Sequence, residues 1–216
     1  MSGGPSALPC CAGSGHGSPL VKRLFDIVAS AAGLVLLSPF LLLIALWVKL
    51  DSPGPVFFRQ VRVGRGGVLF RIHKFRTMQE NSERHGQLTV GLDARVTGAG
   101  HFLRKSKLDE LPQLIDVLMG DMSVVGPRPE VPKYVAHYPD EVKALVLSVR
   151  PGITDWASIS MIDENQILGA AADPERAYLD EVLPQKLEHY VRYAQSYSLL
   201  GDLRIIVATL HKIVER

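Results

Sequence analysis

The sequence predicts a mostly helical α+β fold built on an N-terminal membrane helix that breaks at its middle. Three features predict it. Residues 27–48 are 22 consecutive residues without a charge. Residues 56–75 read as two short strands around a glycine-rich turn. Much of the rest of the 216-residue chain repeats apolar positions at the period of an amphipathic helix. An apolar fraction of 47% excludes global disorder and is high for a soluble domain with 21% charged residues.

Residues 1–18 contain five glycines, four serines and two prolines with no acidic or Lys/Arg side chain, too little apolar surface to offset the entropy of ordering, so a disordered tail is expected. The adjacent Cys10 and Cys11 are a poor basis for a disulfide framework. The apolar run that follows, as a straight helix, would reach about 33 Å against a hydrocarbon core of about 30 Å. Two details argue against simple crossing. Ser38-Pro39 interrupts the run at its centre, where proline removes a helical hydrogen bond and Ser38 can serve the freed backbone. Basic residues flank both ends, Lys22 and Arg23 before it and Lys49, Arg59, Arg62 and Arg65 after it, so both ends favour one side of the membrane. Residues 19–50 are therefore expected to form a re-entrant helix-break-helix, the other arrangements being a kinked spanning helix and a buried core helix. Residues 51–216 are expected to form one cytoplasmic catalytic domain.

Strands are expected over 56–63 and 68–75 around Gly64-Arg65-Gly66-Gly67. Helical spacing runs from 96 to 119 and ends before Gly126-Pro127-Arg128-Pro129. One helix is expected over 131–147, a loop at Arg150-Pro151-Gly152-Ile153-Thr154, and amphipathic helices over 174–197 and 201–214.

The net charge of +2 argues against a nucleic-acid partner, but the average conceals segregation. Eleven Lys and Arg stand against three Asp and Glu over 59–107, a local excess of +8 suited to phosphates or anionic lipid headgroups. Downstream, Asp109-Glu110-Leu111-Pro112 opens a helical pattern. Proline is tolerated only in the first turn, so a helix is expected to begin near Leu108 or Asp109, placing both carboxylates at its N-terminus. Leu111, Leu114, Ile115 and Leu118 then share an apolar face and Asp109, Gln113 and Asp116 a polar one. Neighbouring helical carboxylates diverge by about 100°, which suits one for attack and the other for a cation. Acidic capping of a surface helix is the alternative. Arg128, fixed between Pro127 and Pro129, presents a rigid fork either to phosphate or to a structural ion pair.

Lys22-Arg-Leu-Phe-Asp26, Ser38-Pro39, Lys74-Phe-Arg76-Thr-Met78, Asp93-x-Arg95-x-Thr97, Leu103-Arg104, Leu108-Asp-Glu-Leu-Pro-Gln113, Gly120-Asp-Met-Ser-x-Val-Gly-Pro-Arg-Pro129 and Arg150-Pro-Gly-Ile-Thr154 follow one another as in the bacterial sugar transferases, the small monotopic phosphoglycosyl transferases, which the chain resembles over 22–209. The resemblance implies transfer of a sugar-1-phosphate from a UDP-sugar to undecaprenyl phosphate with release of UMP, using Mg²⁺ and a covalent intermediate. It implies Asp109 as nucleophile, Glu110 as Mg²⁺ ligand and Arg128 at the donor phosphates. Lys74, Arg76, Arg95 and Arg104 are expected to bind substrate as well. Ser38-Pro39 becomes the membrane break, Lys22 and Arg23 its flank, and the amphipathic helices lie along the inner membrane of a bacterium among its lipids. A homo-oligomer is compatible with the sequence.

Departures from that pattern are also present. Asp116 stands where the family often has Asn, adding a charge expected to bear on metal or donor binding. Asp155-Trp156-Ala157-Ser158 replaces a common Gly-Trp-Ala-Gln, and residues 163–180 match only some members, so the sugar is left open. A membrane-attached scaffold would explain the apolar run and the basic segment but not the carboxylate pair. A soluble nucleotide-sugar glycosyltransferase would need more buried strands.

Overall fold

The computed structural model describes residues 18–79, 93–161 and 164–215; the expected tail over 1–18 lies, but for Ser18, outside them. Helix α1 (Pro19–Asp51) runs through Pro39 as one element rather than the two expected halves. Proline deprives the carbonyl of Val35 of its usual donor, and Ser38 Oγ supplies a replacement at 2.8 Å, which lets the helical path continue. Only 11% of its most apolar 18-residue window is buried, so α1 is not the core helix of a globular domain. Leu36 is 78% exposed and Leu42 is 70% exposed.

Both ends of α1 are nevertheless fastened to the rest of the chain. Near its start, Asp26 Oδ1 accepts from Ser123 Oγ at 3.0 Å and from the Val124 backbone at 3.1 Å. Arg23 donates to the Val117 and Leu118 carbonyls, 2.7 and 3.1 Å away. Lys22 reaches Asp202 at 2.6 Å and the Val125 carbonyl at 3.1 Å. Lys22 and Arg23, expected as flank charges for the membrane, are thus occupied inside the protein; their reach along the helix surface places them over neighbouring backbone and carboxylate acceptors. Near the other end, Ile44 and Val48 pack with Phe75 and Leu103.

Phe75 belongs to the expected hairpin, which is present with one register throughout. β2 (Val61–Val63) pairs with β3 (Leu69–Arg71), and β1 (Phe57–Phe58) with β4 (Lys74–Phe75), the Ile72-to-Gln60 hydrogen bond linking the two ladders. Gly66 and Gly67, at φ 67° and 80°, turn the chain in the left-handed region that glycine adopts without strain.

Helix α2 (Gly98–Ser106) is N-capped by Thr97 and leads through a 3₁₀ turn into α3 (Gln113–Met119). A parallel pair, β5 (Ser123–Val125) with β6 (Gly152–Thr154), was not expected from the sequence. The two strands approach so closely that a Cβ on Gly152 would lie 2.0 Å from the Gly126 nitrogen. That approach admits only glycine. The helix expected over 131–147 is divided into α4 (Pro132–Val135) and α5 (Asp140–Val146), because Pro139 lacks the donor needed to continue it. After α6 (Trp156–Ser160) and α7 (Glu164–Ala170), the helical path from 174 to 196 comprises α8 (Pro174–Ala177), a π turn over Tyr178–Val182 and α9 (Leu183–Ser196). Helix α10 (Leu199–Val214) completes the described chain, capped by Ser198. The largest core joins Val131, Tyr134 and Tyr138 to Tyr178, Leu187 and Tyr190.

Asp26 is 1% exposed. Removing its carboxylate strands the Val124 amide, while the Ser123 hydroxyl keeps the Val125 carbonyl at 2.9 Å, so Asp26→Ala is expected to cost about 2 kcal/mol and Asp26→Asn, which retains an acceptor, distinctly less. Thermal unfolding of the detergent-purified protein measures both, and equal losses would show that the hydrogen bonds are not what Asp26 supplies.

Candidate active site

The carboxylate pair is positioned by a change of helix type. Lys107, at φ 59°, closes α2, and the Glu110 and Leu111 amides donate to carbonyls three residues back, forming the 3₁₀ turn Leu108–Glu110. Pro112 has no N–H and caps α3, which begins at Gln113 and not at the expected Leu108 or Asp109. The pair therefore precedes the helix instead of forming its first turn. The polar side of α3 points into the protein. Asp109, Gln113 and Asp116 are 1%, 1% and 0% exposed, while Leu118 is 40% exposed, which removes the reading of Asp109 and Glu110 as surface caps.

Lys74, on β4, bridges the pair. Its Nζ lies 2.8 Å from Asp109 Oδ2 and 3.3 Å from Glu110 Oε1. Arg128 grips Glu110 with both terminal nitrogens, one 3.1 Å from Oε2 and the other in close contact with Oε1. Burial would raise the Glu110 carboxyl, but Arg128, Lys74 and Lys107 outweigh it and hold the group well below the usual carboxylate range; Glu110 in turn raises the Arg128 guanidinium. Asp109 differs in one respect. Its Oδ1 is buried and meets no donor.

Arg128 is held rigid by backbone bonds on both sides. Gly152 N donates to Pro127 O at 2.9 Å, and Val63 N donates to Glu130 O at 2.9 Å. Arg62 donates to the Pro129 carbonyl at 2.9 Å, and the Tyr178 hydroxyl donates to Glu130 at 2.6 Å.

Asp116 has a different task from the one its charge suggested. Its oxygens accept from the His73 backbone at 2.8 Å and meet His73 Nδ1 at 2.6 Å, while Nε2 faces Arg59 at 2.5 Å. Arginine carries only donors, so Nε2 accepts and the ring proton sits on Nδ1, directed at Asp116. Burial raises the Asp116 carboxyl, partly countered by these bonds. The charge is answered by the residue before Lys74 and is not offered to a ligand. His73 passed unnoticed in the sequence because a lone histidine in a strand carries no signal until its partner, 43 residues away, is known.

The remaining basic candidates are not all gathered at the pair. Arg76 is 4% exposed and donates to carbonyls of Val48, Ser52 and Pro53 at the end of α1, where it satisfies acceptors left open by the helix terminus. Arg95 folds onto Asp93 two residues away. Arg104 donates to Thr77 Oγ1 at 2.9 Å, and burial lowers its guanidinium, partly countered by the Asp109 carboxylate.

Glu110 and Arg128, with Lys107, line the polar end of a cavity of about 300 Å³. Its walls are mostly apolar side chains of α3, β5, β6, α6 and α10, with Thr154, Ser158, Thr209 and Lys212 among them. Among the described residues no cluster of three or more His, Cys, Asp or Glu side chains is placed to hold a metal.

A long uncovered apolar helix and a buried, basic-clamped carboxylate pair define a protein suited to membrane association, with a charged site inside its folded part. The sequence pattern of the bacterial sugar transferases matches residues 17–216, and the chain belongs to that family. It is 42% identical over 197 residues to a UDP-N-acetylgalactosamine-undecaprenyl-phosphate N-acetylgalactosaminephosphotransferase of Aeromonas hydrophila, spanning 90% of this chain and 44% of the relative. It is 40% identical over 199 residues to a UDP-glucose:undecaprenyl-phosphate glucose-1-phosphate transferase of Caulobacter vibrioides, spanning 90% and 70%. An exopolysaccharide production protein of Rhizobium leguminosarum is 35% identical over 207 residues, spanning 88% and 94%. The chain thus spans less than half the length of the Aeromonas relative.

A carboxyl held below its usual value of 4.5 contributes stability that is complete above that value and is lost as pH falls through its lower folded-state value. Glu110→Gln is expected to cost about 2 kcal/mol at neutral pH, less than the ~3–5 kcal/mol of a fully buried pair, because the Arg128 side chain keeps 29% exposure. Followed by thermal unfolding, the gap between wild type and variant stays constant down to about pH 5 and shrinks below it. A gap that widens on acidification would reverse the sign assigned to Glu110.

Proposed function

We propose that the chain is a phosphoglycosyl transferase that moves a sugar-1-phosphate from a UDP-sugar to undecaprenyl phosphate, releasing UMP, at the cytoplasmic face of a bacterial inner membrane, as an early step in building a surface glycan. The observation that carries this reading is the Asp109–Glu110 pair, bridged by Lys74 and locked by Arg128 at the polar end of an apolar cavity, in a chain of this family. The names of the Aeromonas and Caulobacter relatives support the donor and acceptor classes.

Asp109 Oδ1, free of donors, is the attacking oxygen. It bonds to the sugar-bearing phosphorus as the bond from that phosphorus to the oxygen shared with the uridine phosphate breaks, and UMP leaves with the electron pair. A phosphate oxygen of the polyprenyl phosphate then attacks the same phosphorus, Asp109 departs as the carboxylate, and the sugar is left on a polyprenyl diphosphate. Lys74 orients Asp109 through Oδ2 and reduces repulsion between the carboxylate and an anionic diphosphate. Arg128 and Lys107 add positive charge beside the incoming phosphates.

Mg²⁺, when bound, would draw charge from the diphosphate. Glu110 fits one place in its shell. A carboxylate has about four lone-pair sites, and the arginine and lysine leave capacity for a cation otherwise held by substrate phosphates and water. The attachment of both ends of α1 to the same folded body supports keeping both ends at one face of the membrane, since a helix crossing the bilayer would carry them to opposite faces; a return within the leaflet would require the helix, continuous here through Pro39, to bend there.

Incubation with UDP-glucose or UDP-N-acetylgalactosamine, without lipid acceptor, is expected to add the mass of one sugar phosphate to a peptide containing Asp109, and Asp109→Asn to abolish both the adduct and UMP release. EDTA is expected to stop turnover and Mg²⁺ to restore it. Turnover without an adduct under rapid quench would favour direct transfer through a ternary complex.

A further inference from the structure

The cavity beside the pair has two chemically distinct ends. At one end stand Lys107, Glu110 and Arg128; the rest of the wall is mainly branched aliphatic, including Leu111 and Leu114 from one side and Ile206 and Leu210 from α10 on the other, with one further cation, Lys212 of α10, whose ammonium lies 3.8 Å from Glu215. Its hydroxyls are already engaged. Thr154 and Thr209 bond to each other at 2.6 Å, Thr209 also donates to the Ile205 carbonyl at 2.8 Å, and Ser158 donates to Asp155 at 2.6 Å. A uracil ring would need partners for its carbonyls and N–H and a flat surface for stacking, and the wall supplies neither free hydroxyls nor an aromatic side chain. An aliphatic chain ending in a phosphate requires nothing more than the wall provides.

The open side of the cavity is continuous with an apolar surface. Leu200, Leu203, Val207 and Leu210 form a stripe along α10 and are 72%, 42%, 65% and 59% exposed. Leu210 belongs both to this stripe and to the cavity wall.

We propose that this cavity is the acceptor subsite. The phosphate of a polyprenyl phosphate sits at Lys107 and Arg128, its first isoprene units fill the apolar end, and the remaining tail leaves along the α10 stripe. A volume of about 300 Å³ lies at the lower limit for ligand pockets, which suits the phosphate-proximal part of a long lipid. The assignment rests on the transferase reading and adds to it that α10 selects the acceptor, while the donor nucleoside binds elsewhere around the pair.

The test uses the full chain in nanodiscs and two independent readouts. Photolabelling with a diazirine-bearing farnesyl phosphate is expected to mark peptides of α10 and α3, and excess unlabelled undecaprenyl phosphate to suppress the label. Leu210→Trp, which fills the cavity from a position exposed enough to accept a larger side chain, is expected to reduce labelling and raise the acceptor KM at least tenfold. Leu210→Asp, which charges the exit, is expected to act in the same direction. Both variants should form the sugar-phosphate adduct from UDP-sugar within about twofold of the wild-type rate. Labelling confined to other elements would overturn the assignment, as would an unchanged acceptor KM in both variants. A donor KM that rises while the acceptor KM holds would give the cavity to the nucleotide. Wild-type protein that takes the lipid label on α10 but forms no adduct would sink the covalent mechanism and leave the lipid subsite standing.

Discussion

The ammonium of Lys22 lies 2.6 Å from a carboxylate that is itself fully buried, Asp202 of α10. Tyr193 donates to the other Asp202 oxygen at 2.9 Å, and both Lys22 and Tyr193 reach the Val125 carbonyl. One junction therefore ties the apolar helix, a strand that leads to Arg128, and two C-terminal helices. Breaking such a pair leaves a buried charge without compensation, a far larger cost than an exposed pair would incur. The geometry of the pocket depends on it. The α10 wall of the cavity and the β5 approach to Arg128 are fixed relative to each other because both are held by the same lysine, and that lysine stands at the start of the helix that meets the lipid.

Much of the basic excess is consumed internally. Two adjacent carboxylates can be buried together only where cations and donors surround them, and Lys74, Arg128 and Lys107 meet that condition for Asp109 and Glu110. Arg59 serves His73, Arg62 holds Pro129 and Glu130, and Arg76 closes the end of α1. A local charge of +8 in a sequence thus overstates what is offered to phosphates or to lipid headgroups. Only a few of these side chains face the cavity.

What could be read from the sequence was what depends on local spacing. The hairpin followed from two apolar runs around glycines, whereas Pro112 marked a helix start near the pair but put it at Leu108 or Asp109, where the structure has a separate 3₁₀ turn before α3. Features fixed by distant partners were not visible. The parallel β5–β6 pair joins strands of three residues each, below the length at which alternation is recognisable, and its mark is the pair of glycines at its closest approach. Asp116 resembled a free charge because His73 lies in another element. Pro139 and the π turn divided two helical patterns whose periodicity alone could not reveal the division. Leu111 to Leu118 did form one face, partly buried with Leu114 against Gly33 of α1, but that Asp109, Gln113 and Asp116 would be buried deeper still was not visible in the periodicity.

The different settings of the two carboxylates follow from which cation touches which. The Lys74 nitrogen lies between the groups, and the Arg128 fork stands beyond it on the Glu110 side. The fork is bidentate and planar, so it engages one carboxylate fully and cannot be shared. Glu110 receives it and is held by both oxygens. Asp109 is left with one oxygen on the lysine and one with no partner, a buried acceptor whose desolvation is uncompensated until a ligand arrives. In the proposed mechanism the substrate phosphorus removes that deficit, so the same scarcity of donors that makes Asp109 costly to bury is what fits it, rather than Glu110, to the attacking role.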